Sequence, residues 1–318
     1  MINGLFVMDP LERIHVEGDS TYMLMLEGCR RGDSVWFCTP SDLFILNGEV
    51  RARVQQVHVQ QTEPYFSPEA VTEKALGAFD VVWMRKDPPF NMDYILATYL
   101  LEQAPSHTLV VNDPRGLRRF NEKIWAMSFP DLHPPTLLSQ NANKLTEFVH
   151  AQQGRAVLKP WDGNGGRGVL VTSKDDRNLA SMIELLTENE QTYVIAQPYL
   201  EGADKGDKRI LLFDGEPVGA MLRVPSKKDF RGNMHVGATV DSCELTPRDV
   251  EICHRLGPEL KKYGQIFVGI DVIDGYLTEI NITSPTGIRE INRLNGVSLE
   301  RDLMETVIRC LAHHRETQ

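Results

Sequence analysis

The sequence predicts a protein of the α/β and α+β classes, with an open α/β domain at the N-terminus and a mixed α+β region after it. Strand and helix patterns alternate up to about residue 112. Later, a glycine-rich loop joins two apolar strand-like runs, and in the last third of the chain two further pairs of such runs are each separated by Asp-Gly. With 318 residues, the chain is long enough for two or three packed units.

The N-terminal region begins with an apolar strand, LFVMD, and continues with a helix that Ser20 caps and Gly32 closes. Further strands are expected at SVWFCT, within FDVVWMRKDPPF and at SHTLVVNDP, the last of which runs into a proline stop signal. Strands alternating with helices in this way predict a small open α/β domain.

The second half begins with a helix expected from Asn121 and then strands at AVLKP and GVLVT. A helix at residues 179–186 precedes a strand in TYVIAQPYL, and an Asp-Gly turn divides DKRILLFDGEPVGAMLRV into a hairpin. A helix capped by Thr246 ahead of Pro247, a hairpin in FVGIDVIDGYLTEINI and a last helix from Ser298 complete the pattern.

Composition excludes several classes of function. The net charge of -10 argues against nucleic acid or an anionic membrane as the main partner. The 5 cysteines are odd in number and include no C-x-x-C pair, so the sequence indicates neither a disulfide framework nor a zinc knuckle. Unpaired cysteines of this kind predict a reducing compartment. Asp9 interrupts the first apolar stretch and no later run approaches a membrane span, which predicts a cytoplasmic protein without signal peptide or anchor.

The loop in KPWDGNGGRGVLV carries glycines at 163, 165, 166 and 168. Walker and Rossmann glycine loops open a helix, whereas this loop lies between strands, so it is expected to be a phosphate-covering flap on a hairpin. Lys159, at the end of the first strand, is placed to meet a phosphate as a point charge. A flexible surface hairpin is the alternative.

A second constellation is formed by Asp271, Glu279 and Asn281. Glu279 and Asn281 lie two apart on one strand and share a face. A two-residue turn at Asp274-Gly275 would place Asp271 on the opposite face, whereas a three-residue connection with a bulge at Gly275 would bring all three together. Three oxygen ligands on one face suit Mg²⁺, and a solvated acidic strand face is the alternative.

Arg209 and the histidines give weaker indications of catalytic function than the glycine loop and the acidic strand residues do. Arg209 begins a buried strand, where it is either a surface charge or a bidentate holder of carboxylate or phosphate, and its position alone does not decide between them. The chain has no G-x-S-x-G elbow, and His133, His313 and His314 have no nucleophile at a recognisable spacing, so acyl-enzyme catalysis is not supported. These histidines are expected at the surface or as helix caps.

Residues 225–242 have no periodic pattern and carry Lys227, Lys228 and Arg231. A long basic segment of this kind is interpreted as a mobile lid that closes over anionic ligands and excludes water. The alternative is a surface connector without a role.

A resemblance to a known family extends over nearly the whole chain. The segments that carry it are, in order, MRKDPPFNMDYILATYLLE, NEK, LKPWDGNGGRG, AQPYL, GDKRILLFDGEPV, RGN and DVIDGYLTEINITSPTGIRE. They resemble the bacterial-type glutathione synthetases of the ATP-grasp superfamily, and the R-K-D-P-P and T-E-I-N-x-T-S-P-T clusters are far more specific than a glycine loop.

The resemblance implies an ATP-grasp fold behind an N-terminal open α/β (pre-ATP-grasp) domain. The implied divisions are a substrate-binding domain at 1–120, a central subdomain at 121–200 with the glycine-rich lid loop, and a C-terminal subdomain at 201–318 with the metal and catalytic site. It also implies a cytoplasmic homotetramer that joins γ-glutamylcysteine to glycine through an acyl phosphate, with ATP and two Mg²⁺ ions that Mn²⁺ can replace. A D-alanine or glutamate-adding ligase and a non-catalytic synapsin-like scaffold are the alternatives.

Site residues follow from the same resemblance. The implied catalytic residues are Arg209, Arg223 and Arg231. The implied nucleotide-binding residues are Lys123, Lys159, Gly163, Asn164, Gly165, Gly166, Gly168, Gln197, Pro198, Tyr199, Leu200 and Asp207. The implied substrate-binding residues are Arg85, Ser284, Pro285 and Thr286. The implied metal ligands are Asp271, Glu279 and Asn281.

Overall fold

The computed structural model describes residues 1–163, 165–225 and 239–317. Within these residues the strands form three sheets, of eight, four and five strands in chain order. The α/β and α+β architecture expected from the sequence is confirmed. None of the described helices is long and apolar enough to cross a bilayer.

The first sheet occupies the N-terminal third of the chain. Its strands are β1 (Asn3–Val7), β2 (Ser34–Cys38), β3 (Leu43–Leu46), β4 (Glu49–Val59), β5 (Phe66–Pro68), β6 (Thr72–Ala75), β7 (Val81–Met84) and β8 (Leu109–Val111). Strands β2, β1, β7 and β8 are parallel neighbours in that order, and β4 joins β2 antiparallel at the other side. The parallel core of the sheet is the predicted open α/β domain.

Helices cover this sheet. They are α1 (Ser20–Arg31), α2 (Met92–Leu101), α3 (Pro114–Arg119) and, from the C-terminus, α8 (Leu299–Glu316). The N-cap of α1 is Asp19, whose side chain accepts from the Tyr22 backbone N–H, so the expected cap at Ser20 was one residue late. Gly32 closes the helix with φ 77°, as predicted.

The second sheet has the strand order β11-β10-β12-β9. Its elements are β9 (Leu137–Ser139), α4 (Ala142–Ala151), β10 (Ala156–Pro160), β11 (Leu170–Thr172), α5 (Leu179–Thr187) and β12 (Val194–Pro198). Strands β10 and β11 pair antiparallel, so the glycine-rich loop does join a hairpin. The α-helix expected from Asn121 is absent, because that segment forms turns and a short 3-10 helix before α4 begins.

The third sheet has the order β15-β14-β13-β16-β17. Its elements are β13 (Asp207–Phe213), β14 (Glu216–Val224), β15 (Thr239–Ser242), α6 (Pro247–Lys262), β16 (Phe267–Ile273), β17 (Tyr276–Asn281) and α7 (Ile288–Asn295). The remaining short 3-10 helices are Leu11–Arg13, Pro40–Asp42, Leu76–Ala78, Ala126–Ser128 and Glu201–Asp204. The expected cap of α6 at Thr246 and the start of α8 after Ser298 are both observed.

Two Asp-Gly turns fix the hairpins of this sheet. Asp214 and Gly215 have φ 46° and 77°, and Asp274 and Gly275 have φ 50° and 73°. Positive φ at both central residues is the geometry of a two-residue turn whose twist matches that of the strands it joins. The Asp-Gly turns were read correctly from the sequence.

The lid was predicted at residues 225–242, of which the structure describes 225 and 239–242. Residues 226–238, which include Lys227, Lys228 and Arg231, lie outside the described residues. The end of the proposed lid was placed too late, since residues 239–242 form strand β15, in which Thr239 pairs with Val224.

The first and third sheets share their hydrophobic core, whereas the second sheet has a core of its own. One cluster joins Leu5 and Val82 of the first sheet to Ile210 and Ile270 of the third. The second sheet encloses a separate cluster of residues from α4, α5, β10 and β12. The second sheet is therefore the part of the fold with the least apolar surface tying it to the rest.

A buried asparagine adds a polar connection between the first and third sheets. Asn112, directly after β8, donates through Nδ2 to the carbonyls of Phe267 at 2.8 Å and Ile282 at 2.7 Å. Its Oδ1 accepts from the Phe267 N–H at 2.8 Å. One amide thus satisfies three backbone groups, at the beginning of β16 and just beyond the end of β17.

We predict that Asn112→Ala lowers the free energy of unfolding by about 3 kcal/mol or more, because it leaves three buried backbone groups unpaired. Urea denaturation measures this loss. Asn3→Ala is the matched control, since the Asn3 side chain makes an exposed hydrogen bond to Ala78 and its removal should cost far less. Equal losses in the two variants would show that Asn112 does not tie the sheets together.

Candidate active site

A cleft of about 270 Å³ lies between the second and third sheets. The segment between α3 and β9, residues 120–136, is called the linker. The residues of the linker and of the second sheet with its loops that line the cleft are Glu122, Lys123, Val157, Lys159, Gly165, Gly166, Val169, Gln197, Pro198, Tyr199, Leu200 and Ala203. Those of the third sheet are Asp207, Arg209, Arg223, Asp271, Ile273, Thr278, Glu279 and Asn281. Most of the residues predicted to bind nucleotide and metal therefore converge on one cleft.

Other predicted residues lie elsewhere. Gly163 and Gly168 belong to the glycine loop but do not line this cleft, and Asn164 and Arg231 are outside the described residues. The predicted substrate residues Arg85, Ser284, Pro285 and Thr286 also lie beyond the cleft lining.

Arg85 is buried where the first and third sheets meet. Its Nε donates to Thr21 Oγ1 at 3.0 Å, its Nη2 donates to the Pro285 carbonyl at 2.9 Å, and its guanidinium lies 4.9 Å from the centre of the Phe267 ring. Burial lowers the pKa of Arg85, with Asp19 opposing the shift. The observed contacts make Arg85 a support for the segment that follows β17.

One end of the cleft is an apolar slot beside the connection from β12 to β13. The Tyr199 ring is covered by the Arg155 guanidinium, 3.8 Å from its centre, and the Tyr199 hydroxyl donates to Asp204. The Gly202 N–H donates to Asp274 Oδ2 at 2.6 Å, which ties this connection to the β16–β17 turn. Flat apolar walls with a fixed backbone edge suit a purine base.

The other end of the cleft is positively charged where the glycine loop meets the linker. Lys123 Nζ lies 3.3 Å from Glu279 Oε1 and donates to the Gly163 carbonyl. Burial would lower the pKa of Lys123, but Glu279 and Glu122 outweigh it and raise the pKa. Burial lowers the pKa of Lys159 to about 8, opposed by Glu279 and assisted by the neighbouring charge of Lys123.

The acidic residues reach the cleft through a bulge. Beyond the turn, strands β16 and β17 pair regularly as far as Val272 and Leu277, but the next pair is Asp271 with Glu279, so Thr278 is an extra residue. The Thr278 hydroxyl donates to the Asp271 carbonyl at 3.1 Å. Of the two connections considered, the two-residue turn at Asp274-Gly275 is observed and the bulge at Gly275 is not. The bulge at Thr278 nevertheless puts both carboxylates on one face.

Asn281 completes this face from two residues further along β17. Its Nδ2 lies 3.2 Å from Asp271 Oδ2. Two carboxylates and an amide oxygen are the hard oxygen ligands that Mg²⁺ takes together with phosphate oxygens and water. Within the described residues no group of three or more His, Cys, Asp and Glu side chains is arranged to hold a metal, so a metal here would depend on the amide and on ligand oxygens.

Two arginines surround Asp271. Arg209 donates to both of its oxygens, from Nε at 2.5 Å and from Nη2 at 3.0 Å, and Arg223 Nη2 lies 3.0 Å from Oδ1. Burial would raise the pKa of Asp271, but Arg209 and Arg223 outweigh it and hold the pKa well below its usual range. Asp271 is therefore ionised near neutral pH.

Arg223 also pairs with Asp207, its partner across β13 and β14. Burial raises the pKa of Asp207 to about 6, with Arg223 opposing. Asp207 Oδ1 and Arg223 Nε are buried without a hydrogen-bond partner in the described part of the chain. Buried polar atoms are normally paired, so these two atoms at the cleft wall indicate a polar ligand there.

Sequence reasoning missed two residues of this region. Glu122 lines the cleft and accepts from the Thr283 hydroxyl at 2.8 Å, and burial raises its pKa. His133 was expected at the surface or as a helix cap, but it is buried behind the cleft lining, with its Nε2 3.3 Å from Gln197 Nε2. Glu122 belongs to the N-E-K segment, but no local sequence pattern predicts that Glu122 lines the cleft or that His133 is buried behind it, so only the folded chain shows their place.

The fold and the cleft together define an ATP-grasp protein. D-cycloserine synthetase DcsG superposes with a TM-score of 0.68 at 14% identity, covering 97% of this chain and 100% of that one. A RimK domain ATP-grasp protein from Sphaerobacter thermophilus superposes with a TM-score of 0.62 at 14% identity, covering 96% of this chain and 98% of that one. These similarities establish the fold.

Sequence comparison identifies the family. The family described as prokaryotic glutathione synthetase, ATP-grasp domain, matches residues 122–296, and the one described as prokaryotic glutathione synthetase, N-terminal domain, matches residues 2–118. Glutathione synthetase of Thermosynechococcus vestitus is 45% identical over 94% of this chain and 97% of its own length. That of Brucella melitensis is 46% identical over 92% and 94%. The chain belongs to the prokaryotic glutathione synthetase family.

The Lys159 pKa gives a testable pH dependence. We predict that Lys159 holds a phosphate of ATP. A bound phosphate would raise the lysine's pKa, so its contribution to ATP affinity is complete well below pH 8 and declines as the pH rises from about 8 through the higher pKa of the complex. We predict that ATP binding weakens about eightfold from about pH 7.5 to about pH 9, measured by calorimetry. Lys159→Arg stays charged and should give a flatter profile. Parallel profiles would remove Lys159 from the phosphate site.

Proposed function

We propose that this ATP-dependent carboxylate–amine ligase carries out its reaction in the cleft between the second and third sheets. The reaction of glutathione synthetase joins γ-glutamylcysteine to glycine and releases ADP and phosphate. The observation that supports this site is the convergence of Lys123, Lys159 and the acidic face of β16–β17 on one cleft with a slot for a base. Membership of the family supports this reaction over those of the D-alanine and glutamate-adding ligases.

ATP is proposed to lie along the cleft with its base between the strands of the second sheet and Ile273. Residues 197–200 would hold the base and Asp207, with its unpaired Oδ1, would accept from the ribose. Lys123, Lys159 and the glycine loop would hold the phosphates, because they form the positive end of the cleft. Phosphoryl transfer depends mainly on this kind of positioning and charge neutralisation.

The family uses ATP together with a divalent metal ion, and we propose Asp271, Glu279 and Asn281 as its ligands. The number of ions, two, and the choice of Mg²⁺ with Mn²⁺ as a substitute are part of this proposal. When bound, the metal neutralises phosphate oxygens and orients the phosphate that is transferred. The chain supplies an ionised Asp271 for this purpose, since Arg209 and Arg223 keep its pKa low.

A carboxylate is a poor electrophile, so ATP must first convert the peptide carboxylate to an acyl phosphate. The glycine amine then attacks this carbonyl, and phosphate leaves from an anionic tetrahedral intermediate. Arg209 and Arg223, which are paired with carboxylates at the cleft wall, are proposed to receive that developing charge. Arg231 is proposed to assist them, although it lies outside the described residues.

The peptide is proposed to bind where the first and third sheets meet. Arg85 and the segment of Ser284, Pro285 and Thr286 lie together there, and the Thr286 carbonyl accepts from Arg209 Nη1 at 3.3 Å. This segment therefore links the proposed peptide site to Arg209, which is proposed to face the reacting carboxyl.

We also propose the remaining features of the organisation. The domains would comprise residues 1–120, 121–200 and 201–318. We also propose a cytoplasmic location, which the free cysteines support. The proposed homotetramer needs an exposed apolar surface. Helix α1 has an apolar stripe, but its residues Tyr22 and Met25 are buried within their own chain. Helix α2 instead exposes Met92, Leu96 and Tyr99, and sedimentation velocity decides the oligomeric state.

The proposed function predicts the outcome of a coupled ADP-release assay in which γ-glutamylcysteine and glycine are omitted in turn. ADP should appear at an appreciable rate only when both are present, with one peptide formed per ADP. Equal ADP release when D-alanine or glutamate replaces glycine would favour the alternative ligases. ATP binding without any ADP release would indicate a non-catalytic scaffold.

Arg209→Lys keeps the positive charge but loses the planar fork, so we predict that kcat falls about a hundredfold or more while ATP affinity changes little. Steady-state kinetics and direct ATP binding separate these effects. Arg155→Lys is the matched comparison, because Arg155 contacts the Tyr199 ring at the base end and should alter ATP binding more than kcat. If Arg209→Lys lowered both equally, Arg209 would be a nucleotide-binding residue.

A further inference from the structure

Three residues that precede β9 lie behind the Gln197 side chain, which lines the base end of the cleft. They are His133, Pro134 and Thr136, and none of them lines the cleft. The Gln197 Nε2 atom lies 3.3 Å from His133 Nε2 and 2.8 Å from Thr136 Oγ1. The orientation of the Gln197 amide therefore depends on which of these two atoms carry hydrogens.

The Pro134 carbonyl decides where those hydrogens are. His133 Nδ1 lies 2.9 Å from this oxygen, and Thr136 Oγ1 lies 2.8 Å from it. A carbonyl oxygen only accepts, and it has two lone pairs, so both the Nδ1–H and the hydroxyl hydrogen are donated to it. His133 Nε2 is then left as an unprotonated acceptor, and the Thr136 oxygen presents a lone pair.

A doubly protonated His133 would reverse this arrangement, because Nε2 would become a donor. The surroundings of the ring oppose that state. Burial, assisted by the charge of Lys159, lowers the pKa of His133 to about 4. The imidazole is therefore neutral near pH 7, with its hydrogen on Nδ1.

With two acceptors behind it, the Gln197 amide has one satisfactory orientation. The NH₂ group donates one hydrogen to His133 Nε2 and the other to Thr136 Oγ1. Turning the amide over would place its oxygen against two lone pairs. Gln197 Oε1 is thus the amide atom left for the cleft.

We infer that His133 and Thr136 are positioning residues for nucleotide specificity, which hold the Gln197 carbonyl toward the base so that a 6-amino purine is accepted and a 6-oxo purine is rejected. This inference rests on the proposed function, which places the base beside Gln197. A fixed acceptor pairs with the exocyclic amine of adenine and faces the lone pairs of a 6-oxo group, where neither partner supplies a hydrogen.

The test compares the dissociation constants of ATP and ITP, since ITP carries a 6-oxo group in place of the amine. The unaltered chain should prefer ATP by at least about tenfold. The double variant His133→Leu/Thr136→Val removes both acceptors and frees the amide to turn, so this preference should fall by at least about tenfold. The ratio of two constants in one protein does not depend on the fraction of the protein that is folded.

Controls separate specificity from a general structural effect. Thr136→Ser keeps the hydroxyl, and His150→Leu replaces an exposed histidine of α4 in the same layer; both should keep the ratio of the unaltered chain. In a Gln197→Met background, His133→Leu should leave the ratio unchanged, because the residue through which it acts is gone.

An unchanged ratio in the double variant, with ATP still bound, would overturn the inference. It would also be overturned if His133→Leu changed the ratio equally with and without Gln197, since His133 would then act by another route. Failure of the unaltered chain to bind ATP at all is a different result, which would overturn the proposed function instead.

Discussion

The register of the third sheet is the constraint on which the site depends. Across β13, β16 and β17, Arg209 pairs with Asp271 and Asp271 pairs with Glu279, which places a row of charges on the cleft face. One residue away, Ile210 pairs with Ile270 and Ile270 with Ile280, and this row is fully buried in the core that the first sheet shares. A slip of one residue would exchange the two rows, so the same apolar burial that stabilises the sheet fixes the position of its charges.

Burying so many charges at a cleft wall is costly unless each has a partner. Asp271 is held by two arginines, and Lys123 by Glu279, so the charges largely compensate one another. The compensation is incomplete at Asp207 and Arg223, each of which keeps a buried atom that has no hydrogen-bond partner among the described residues. A site prepared for an anionic nucleotide and a metal requires this balance, because the chain as a whole carries a net charge of -10. The positive charge must be local.

The two ends of the cleft are built by different means. At the proposed phosphate end the third sheet supplies Asp271 and Glu279 in a register tied to the first sheet by Asn112 and a shared core, and the second sheet adds Lys159 and the glycine loop. At the base end the second sheet supplies apolar walls and a single amide whose orientation follows from the Pro134 carbonyl behind it. The second sheet packs around a core of its own, separate from the core that the first and third sheets share.

The sequence by itself determined the classes of element, the two Asp-Gly hairpins, the glycine loop between strands and the set of charged residues, because these depend on local periodicity and turn chemistry. Most of the predicted nucleotide and metal residues do converge on the cleft. Only the tertiary structure decided that the bulge falls at Thr278, that Arg85 supports a loop, and that His133 is buried. A bulge position depends on pairing between strands, and the environment of a side chain depends on residues distant in sequence, neither of which leaves a local pattern to read.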